Sequence, residues 1–238
     1  MADAGDRRIL PTPEPTYESV HRAIVQLWDV INQLNQIPGP QCDRYRVSIF
    51  GSARLSADDP LYSDVRHLAQ ALTAMGCDIV TGGGPGLMQA ANEGSVLADP
   101  DDLTQSIGLR IALDFEQGTN PFVEKLYNHE TFFSRLNQFI LLSQAFVVVP
   151  GGIGTTLEMM MVWQLIQVGK LPNVPLILVG DMWQELVNWA TRTMVDQPST
   201  PLAKREDMQI PIVVPNIEAA IAHLQTAKAQ WRDHCDLL

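Results

Sequence analysis

Residues Ala145–Lys170, AFVVVPGGIGTTLEMMMVWQLIQVGK, set a β-branched run, a glycine-rich break and a long apolar stretch in immediate succession. Phe146 to Val149 is the kind of short apolar run that a parallel strand needs when both of its faces are covered. Pro150 stops the strand. Gly151, Gly152 and Gly154 let the backbone turn and leave its N–H groups uncovered. The spacing predicts a helix from about Thr155 to about Val168. Its free N–H groups and positive dipole end then lie above the carboxyl end of the strand, a geometry suited to an anion and above all to a phosphate.

Neighbouring residues exclude the related glycine turns. A mononucleotide loop would end in Gly-Lys-Ser/Thr, whereas Thr155, Thr156 and Leu157 stand after Gly154. A dinucleotide fingerprint would lie in the first strand-turn-helix unit, and this turn comes late in the chain. Glu158 has two readings. Thr155-x-x-Glu158 has the form of a capping box, and residue physics alone favours that role. The alternative is a carboxylate placed beside a bound phosphate for chemistry.

The rest of the chain alternates in the same way. Strands are predicted at Arg46 to Phe50, Cys77 to Val80, Gln105 to Leu113, Phe146 to Val149, Pro175 to Val179 and Ile210 to Val214. Helices are predicted between and after them, at Leu61 to Met75, Leu87 to Val96, Thr131 to Ser143, Met182 to Met194 and Asn216 to Arg232. Such alternation forces parallel strands with right-handed crossovers, hence a doubly wound, three-layer Rossmann-like α/β sheet over residues 41–238. Residues 1–40 form a proline-bearing tail and an extra amphipathic helix, marked by Val20, Ile24, Leu27, Ile31 and Leu34.

Ligands of such a sheet collect at the carboxyl ends of its strands. Three glycine turns fall there, at Gly51-Ser52, at Gly82 to Gly86 and at Gly151 to Thr155. For the last two, close approach of a phosphate is the better explanation, with Gly152, Gly154, Thr155 and Thr156 on one side and Gly83 and Gly84 on the other. Arg135 lies three residues after Phe132 and four before Phe139, so its guanidinium rises among aromatic neighbours. It either snorkels to water or meets an anion. The loop after the third predicted strand carries Glu116, Gln117 and Asn120, and reads either as solvated or as a polar wall for sugar or base.

PGGIGTTLE, residues 150–158, matches the P-G-G-x-G-T-x-x-E signature of the lonely guy family of cytokinin-activating phosphoribohydrolases, often labelled lysine decarboxylase-like. Gly82 to Met88 is similar to that family's G-G-G-x-x-G-x-M segment, and Phe50 to Arg54 and Arg135 agree in order and spacing. The resemblance covers roughly residues 46–215. It implies hydrolysis of a nucleoside 5′-monophosphate, with Glu158 and Arg135 as the catalytic pair. A ligand site would be formed by Gly51, Ser52, Gly83, Gly84, Gly86, Met88, Gly151, Gly152, Gly154, Thr155, Thr156 and Glu116. It also implies a homodimer, in keeping with a helix Thr156 to Gln167 that is apolar nearly all round. The family usually follows its arginine with lysine, where this chain has Leu136. The competing reading is a nucleotide-sensing protein of the same fold without turnover.

Composition excludes other classes. Sixteen basic against 27 acidic residues give a net charge of −11, which repels nucleic-acid backbones and anionic membrane surfaces. No run of about 18 apolar residues could span a bilayer. Cys42, Cys77 and Cys235 are far apart and without metal spacing, so they read as free thiols in a reducing cytoplasm. The five histidines fall at no ligand spacing, and no metal is expected. Pyridoxal phosphate chemistry needs a buried lysine, and Lys125, Lys170, Lys204 and Lys228 all stand in polar or terminal settings, so no cofactor is expected.

Overall fold

The structure is a computed structural model, and it describes Ile24, residues 43–111 and residues 118–235. The helix expected in the N-terminal 40 residues, Cys42 and Glu116 lie outside the described residues.

Seven parallel strands form one sheet in the order β4-β3-β2-β1-β5-β6-β7. They are β1 (Tyr45–Phe50), β2 (Cys77–Thr81), β3 (Ser106–Ile111), β4 (Lys125–His129), β5 (Ala145–Val148), β6 (Leu176–Val179) and β7 (Pro211–Val214). The helices are α1 (Pro60–Ala74), α2 (Leu87–Leu97), α3 (Phe132–Leu142), α4 (Ile153–Gln167), α5 (Asp181–Ala190) and α6 (Ile217–Cys235). After α5 come a π-helical segment, Thr191–Asp196, and a short 3-10 turn, Glu206–Gln209.

The period-two alternation of the strands sorts the core into two layers. Tyr45, Val47 and Ile49 of β1 and Ala145 and Val147 of β5 pack with α1, α2 and α6. Phe50, Phe146 and Val148 face the other way, against Phe139 of α3, Met159, Val162 and Trp163 of α4, and Trp183 of α5. The doubly wound three-layer architecture is therefore as the alternation predicts.

The sequence does not predict one of the strands. β4 is an edge strand, paired only with β3, and its sequence KLYNH leaves one face exposed. With Leu126 and Tyr127 as its sole apolar residues it carries too little periodicity to be seen in the sequence. Its place in the sheet is nevertheless important. The chain steps outward from β1 to β4 and then returns through α3 to β5 on the other side of β1, so the switch point opens between β1 and β5.

Cys77 is a buried free thiol whose pKa burial pushes up to about 11. Cys235 is disulfide-bonded, which corrects the reading of the cysteines as free thiols throughout. Separation along the chain does not fix separation in space. Among the described residues, no helix is long and apolar enough to cross a membrane.

Candidate active site

The turns after β1 and β5 and the start of α2 are bonded to one another. Val149 N–H donates to the Phe50 carbonyl (2.9 Å), Ser52 N–H to the Pro150 carbonyl (3.2 Å) and Leu87 N–H to the Ser52 carbonyl (2.9 Å). Ser52 therefore spends both of its backbone groups within the fold, and its hydroxyl accepts from Arg54 N–H at 3.2 Å. A Cβ on Gly51 would lie 2.6 Å from Val149, and one on Gly86 would collide with the Ser52 carbonyl. Close packing of these turns explains both glycines without a ligand.

Gly152 and Gly154 are of another kind. A Cβ at either position would meet nothing within 4 Å, and neither adopts positive φ. Packing and backbone strain therefore give no reason for glycine there. What glycine does leave is uncovered amide at the mouth of α4, whose first helical hydrogen bond runs from Thr156 N–H to the Gly152 carbonyl. The N–H groups of Ile153, Gly154 and Thr155 precede it. These are the atoms an anion would meet. Gly151 differs, since a Cβ there would collide with Thr155, itself buried.

Because α4 is capped at Gly152, Thr155 is the third helical residue and Glu158 the sixth. The capping-box reading therefore fails. Two extra helical residues before Thr155 carry Glu158 out of the first turn, where no unsatisfied N–H remains for it to reach.

Glu158 instead meets Arg135. The two side chains, 12% and 13% exposed, form an ion pair at 3.1 Å between α4 and α3. The guanidinium is held from several sides. Its Nε donates to the Leu109 carbonyl of β3 at 2.7 Å, and it lies 5.3 Å from the centre of the Phe139 ring one turn along α3. Arg135 thus meets a carboxylate, and the snorkelling alternative is not what the fold adopts. Leu136 beside it is buried.

The second glycine turn supports this arginine. A Cβ on Gly82 would collide with Arg135 Nη2 and lie 2.6 Å from Met88 Sδ, while one on Gly84 would lie 2.8 Å from Met88 Cε. Met88 therefore supports the turn from below. Gly83, at φ +70°, donates its N–H to Thr81 Oγ1 at 2.9 Å, so that amide is engaged within the turn. A buried polar network fixes the whole segment. Asn92 Oδ1 accepts from Thr81 Oγ1 (2.6 Å) and from Asn120 Nδ2 (3.0 Å), Asn92 Nδ2 donates to Ser106 Oγ (2.8 Å), and Asn120 Nδ2 also reaches the Gly84 carbonyl (3.0 Å). Asn120 is thus part of the scaffold of the turn and not of an open polar wall. Sequence reasoning misses Asn92 altogether, and at Gly82 it finds the turn but not the contact with Arg135. The signal available for Asn92 is an asparagine on the inward, alanine-bearing face of α2.

Gly82→Ala is expected to displace the guanidinium from Glu158 and lower activity by about a hundredfold, the scale of a 1 Å misplacement at a reacting centre. Steady-state kinetics beside a thermal melt would check it; unchanged kcat with the fold intact would mean that Arg135 moves aside without consequence.

The sequence profile of the family described as "Possible lysine decarboxylase" matches residues 88–224, more than half of the chain. The chain belongs to this family. Lys125, Lys170 and Lys204 are exposed, and Lys228 donates to the Met75 carbonyl at the amino-terminal end of β2, so none of the four lysines stands at the glycine turns. Among curated proteins, the pyrimidine/purine nucleotide 5′-monophosphate nucleosidases of Escherichia coli strains K12 and O157:H7 are each 26% identical over 140 residues, 56% of this chain and 30% of the relative. The chain spans under a third of the length of these relatives. Among solved structures, the Moco carrier protein of Chlamydomonas reinhardtii aligns with TM-score 0.58 at 20% identity, covering 79% of this chain and 99% of its own. The molybdenum cofactor binding protein of Rippkaea orientalis aligns with TM-score 0.58 at 17% identity, covering 77% and 96%. At such identities these two share the fold.

Proposed function

We propose that this chain hydrolyses the N-glycosidic bond of a nucleoside 5′-monophosphate to free base and ribose 5-phosphate. The observation that carries the reading is the Glu158–Arg135 pair beside the open amides of α4. In this reading the phosphate is taken by the N–H groups of Ile153, Gly154 and Thr155, with Gly84 closing the opposite side. The Thr156 hydroxyl, expected to join them, donates instead to the Gly152 carbonyl at 3.0 Å. Breaking the C1′–N bond sends its electron pair to the base, which takes up a proton, and builds positive charge on the ribose. A carboxylate beside the sugar stabilises that charge more in the transition state than in the ground state, and can accept the proton of the water that forms the new C1′–O bond. Arg135, tethered to Leu109, orients Glu158 and offsets its charge against the nearby phosphate.

Family resemblance favours an N6-modified adenosine monophosphate, and the names of the E. coli relatives bring plain purine and pyrimidine nucleotides alongside it. Incubation with a panel of nucleoside monophosphates, scoring free base by chromatography, tests the reaction. Release of base from at least one member is expected. The competing reading is a nucleotide-binding or sensing protein without turnover; a protein named as a Moco carrier has the same fold. Tight binding of a nucleotide with no base released from any member would establish it.

α4 also favours a homodimer. Ile153, Leu157 and Met160, spaced one turn apart, are 89%, 50% and 42% exposed, so the apolar helix is not wholly interior to one chain. Light scattering at micromolar concentration is expected to give twice the chain mass, and Met160→Glu to give the monomer. A monomeric wild type would remove this assignment.

A further inference from the structure

The face that α3 turns to the sheet continues beyond the strand ends. Phe139 lies on that face and is fully buried, its ring edge-on to Phe50 of β1 with the centres 5.0 Å apart. Seven residues earlier, Phe132 returns to within about 20° of the same direction, about 10 Å nearer the start of the helix. It is the first residue of α3, after the Thr131 cap, and the turn is closed by Ser134 N–H donating to the Thr131 hydroxyl oxygen at 3.1 Å. Because α3 follows the parallel strand β4, that end of the helix stands at the carboxyl edge of the sheet, and helical side chains slant toward the helix start. The Phe132 ring therefore overhangs the strand ends. It is 48% exposed where Phe139 is 0%. Arg135 lies between the two, three residues after Phe132, and its guanidinium passes to Glu158 and against Gly82, so this face of the helix looks onto the ion pair and the second glycine turn. Phe133 is more exposed still, but it stands about 100° round the helix and off that face.

What this ring does follows from the nucleosidase reading and rests on it. The Glu158–Arg135 pair joins α4 to α3, with the open amides of α4 on one side of it and Phe132 on the other. A nucleotide has a fixed covalent order of phosphate, ribose and base. Phosphate on the amides and ribose at the pair bring the base to the start of α3. We propose that Phe132 is the platform on which the base stacks. Stacking needs a planar π face, which every base presents, and no particular hydrogen-bonding edge. The contact serves affinity for the base-bearing part of the substrate, while Glu158 and Arg135 act on the bond that breaks. A purine, with the larger ring system, gains more from it than a pyrimidine.

The test compares AMP with ribose 5-phosphate, which has the same phosphate and sugar without the base, as substrate KM and inhibition constant in turn. Phe132→Ala is expected to raise KM for AMP by roughly tenfold or more with kcat held, and to leave the inhibition constant of ribose 5-phosphate within about twofold. Phe132→Leu keeps apolar bulk and removes the ring; a several-fold rise in KM is expected of it, and it carries the comparison if the alanine variant melts early. Phe133→Ala, which also removes an exposed aromatic, leaves both constants unchanged. A KM for AMP that is unmoved in Phe132→Ala and Phe132→Leu overturns the proposal and leaves the nucleosidase reading intact. So does a loss shared equally by ribose 5-phosphate, which makes Phe132 scaffold, or a loss that accompanies a halved mass in light scattering, which makes it a contact between copies. Should AMP not be hydrolysed, calorimetric affinities replace the kinetic constants. A loss confined to AMP then supports the platform in a binding protein, and a wild type that binds no AMP overturns it.

Discussion

Glu158→Gln is expected to lower turnover of the preferred nucleotide by about a thousandfold, within the range for loss of a positioned base, while nucleotide affinity barely changes. Glutamine keeps the length and an oxygen that can accept from Arg135, so the 3.1 Å contact need not open. What it loses is the charge that stabilises a cationic sugar and the capacity to take a proton. A Glu158 that served only as counter-ion to Arg135 would behave in the opposite way. Its replacement would act on the melting temperature alone, through the weakened buried pair, and kcat per folded molecule would hold. Kinetics and a thermal melt of one variant separate the two. If activity persists, Glu116, in the segment outside the described residues, becomes the next carboxylate to replace.

Removal of the 5′-phosphate is expected to be as damaging. Each charge-assisted hydrogen bond to it contributes about 1.5–3 kcal/mol. Loss of two would lower kcat/KM by roughly 10² to 10⁴, at about 1.4 kcal/mol per tenfold. Nucleosides should therefore be turned over barely or not at all, and a nucleoside hydrolysed as fast as its monophosphate would remove the phosphate from the mouth of α4.

Sequence and structure agree best where several local rules coincide. Between Ala145 and Val168 the strand, the proline stop, the glycines and the apolar helix all point to one arrangement, and it forms. Spacing places the start of α4 two residues late because Gly152, with no side chain to signal a cap, begins it, and that small error supports the capping-box reading of Glu158. Arg135 can be placed on its helix from spacing, but its tie to the Leu109 carbonyl depends on a crossing of α3 over β3 that no local pattern encodes. The glycines can be found in the sequence and not sorted. Gly51 and Gly86 are explained by atoms of distant segments, and Gly152 and Gly154 by the lack of any. The Asn92–Asn120 contact joins residues 28 apart, through a pairing visible only once β3 and β4 lie side by side.

The open glycines of α4 set folding and function against each other in a way that bears on how such a chain can drift. Gly154 is a helical residue with space around it, and alanine there would gain about 0.5–1 kcal/mol of helix stability. Crowded positions such as Gly86 are guarded by the fold itself, because any side chain collides with neighbouring backbone. Gly154 has no such guard. If glycine persists there, the force keeping it must be the ligand, and a lineage released from that ligand would be expected to lose this residue early, becoming more stable as it does so.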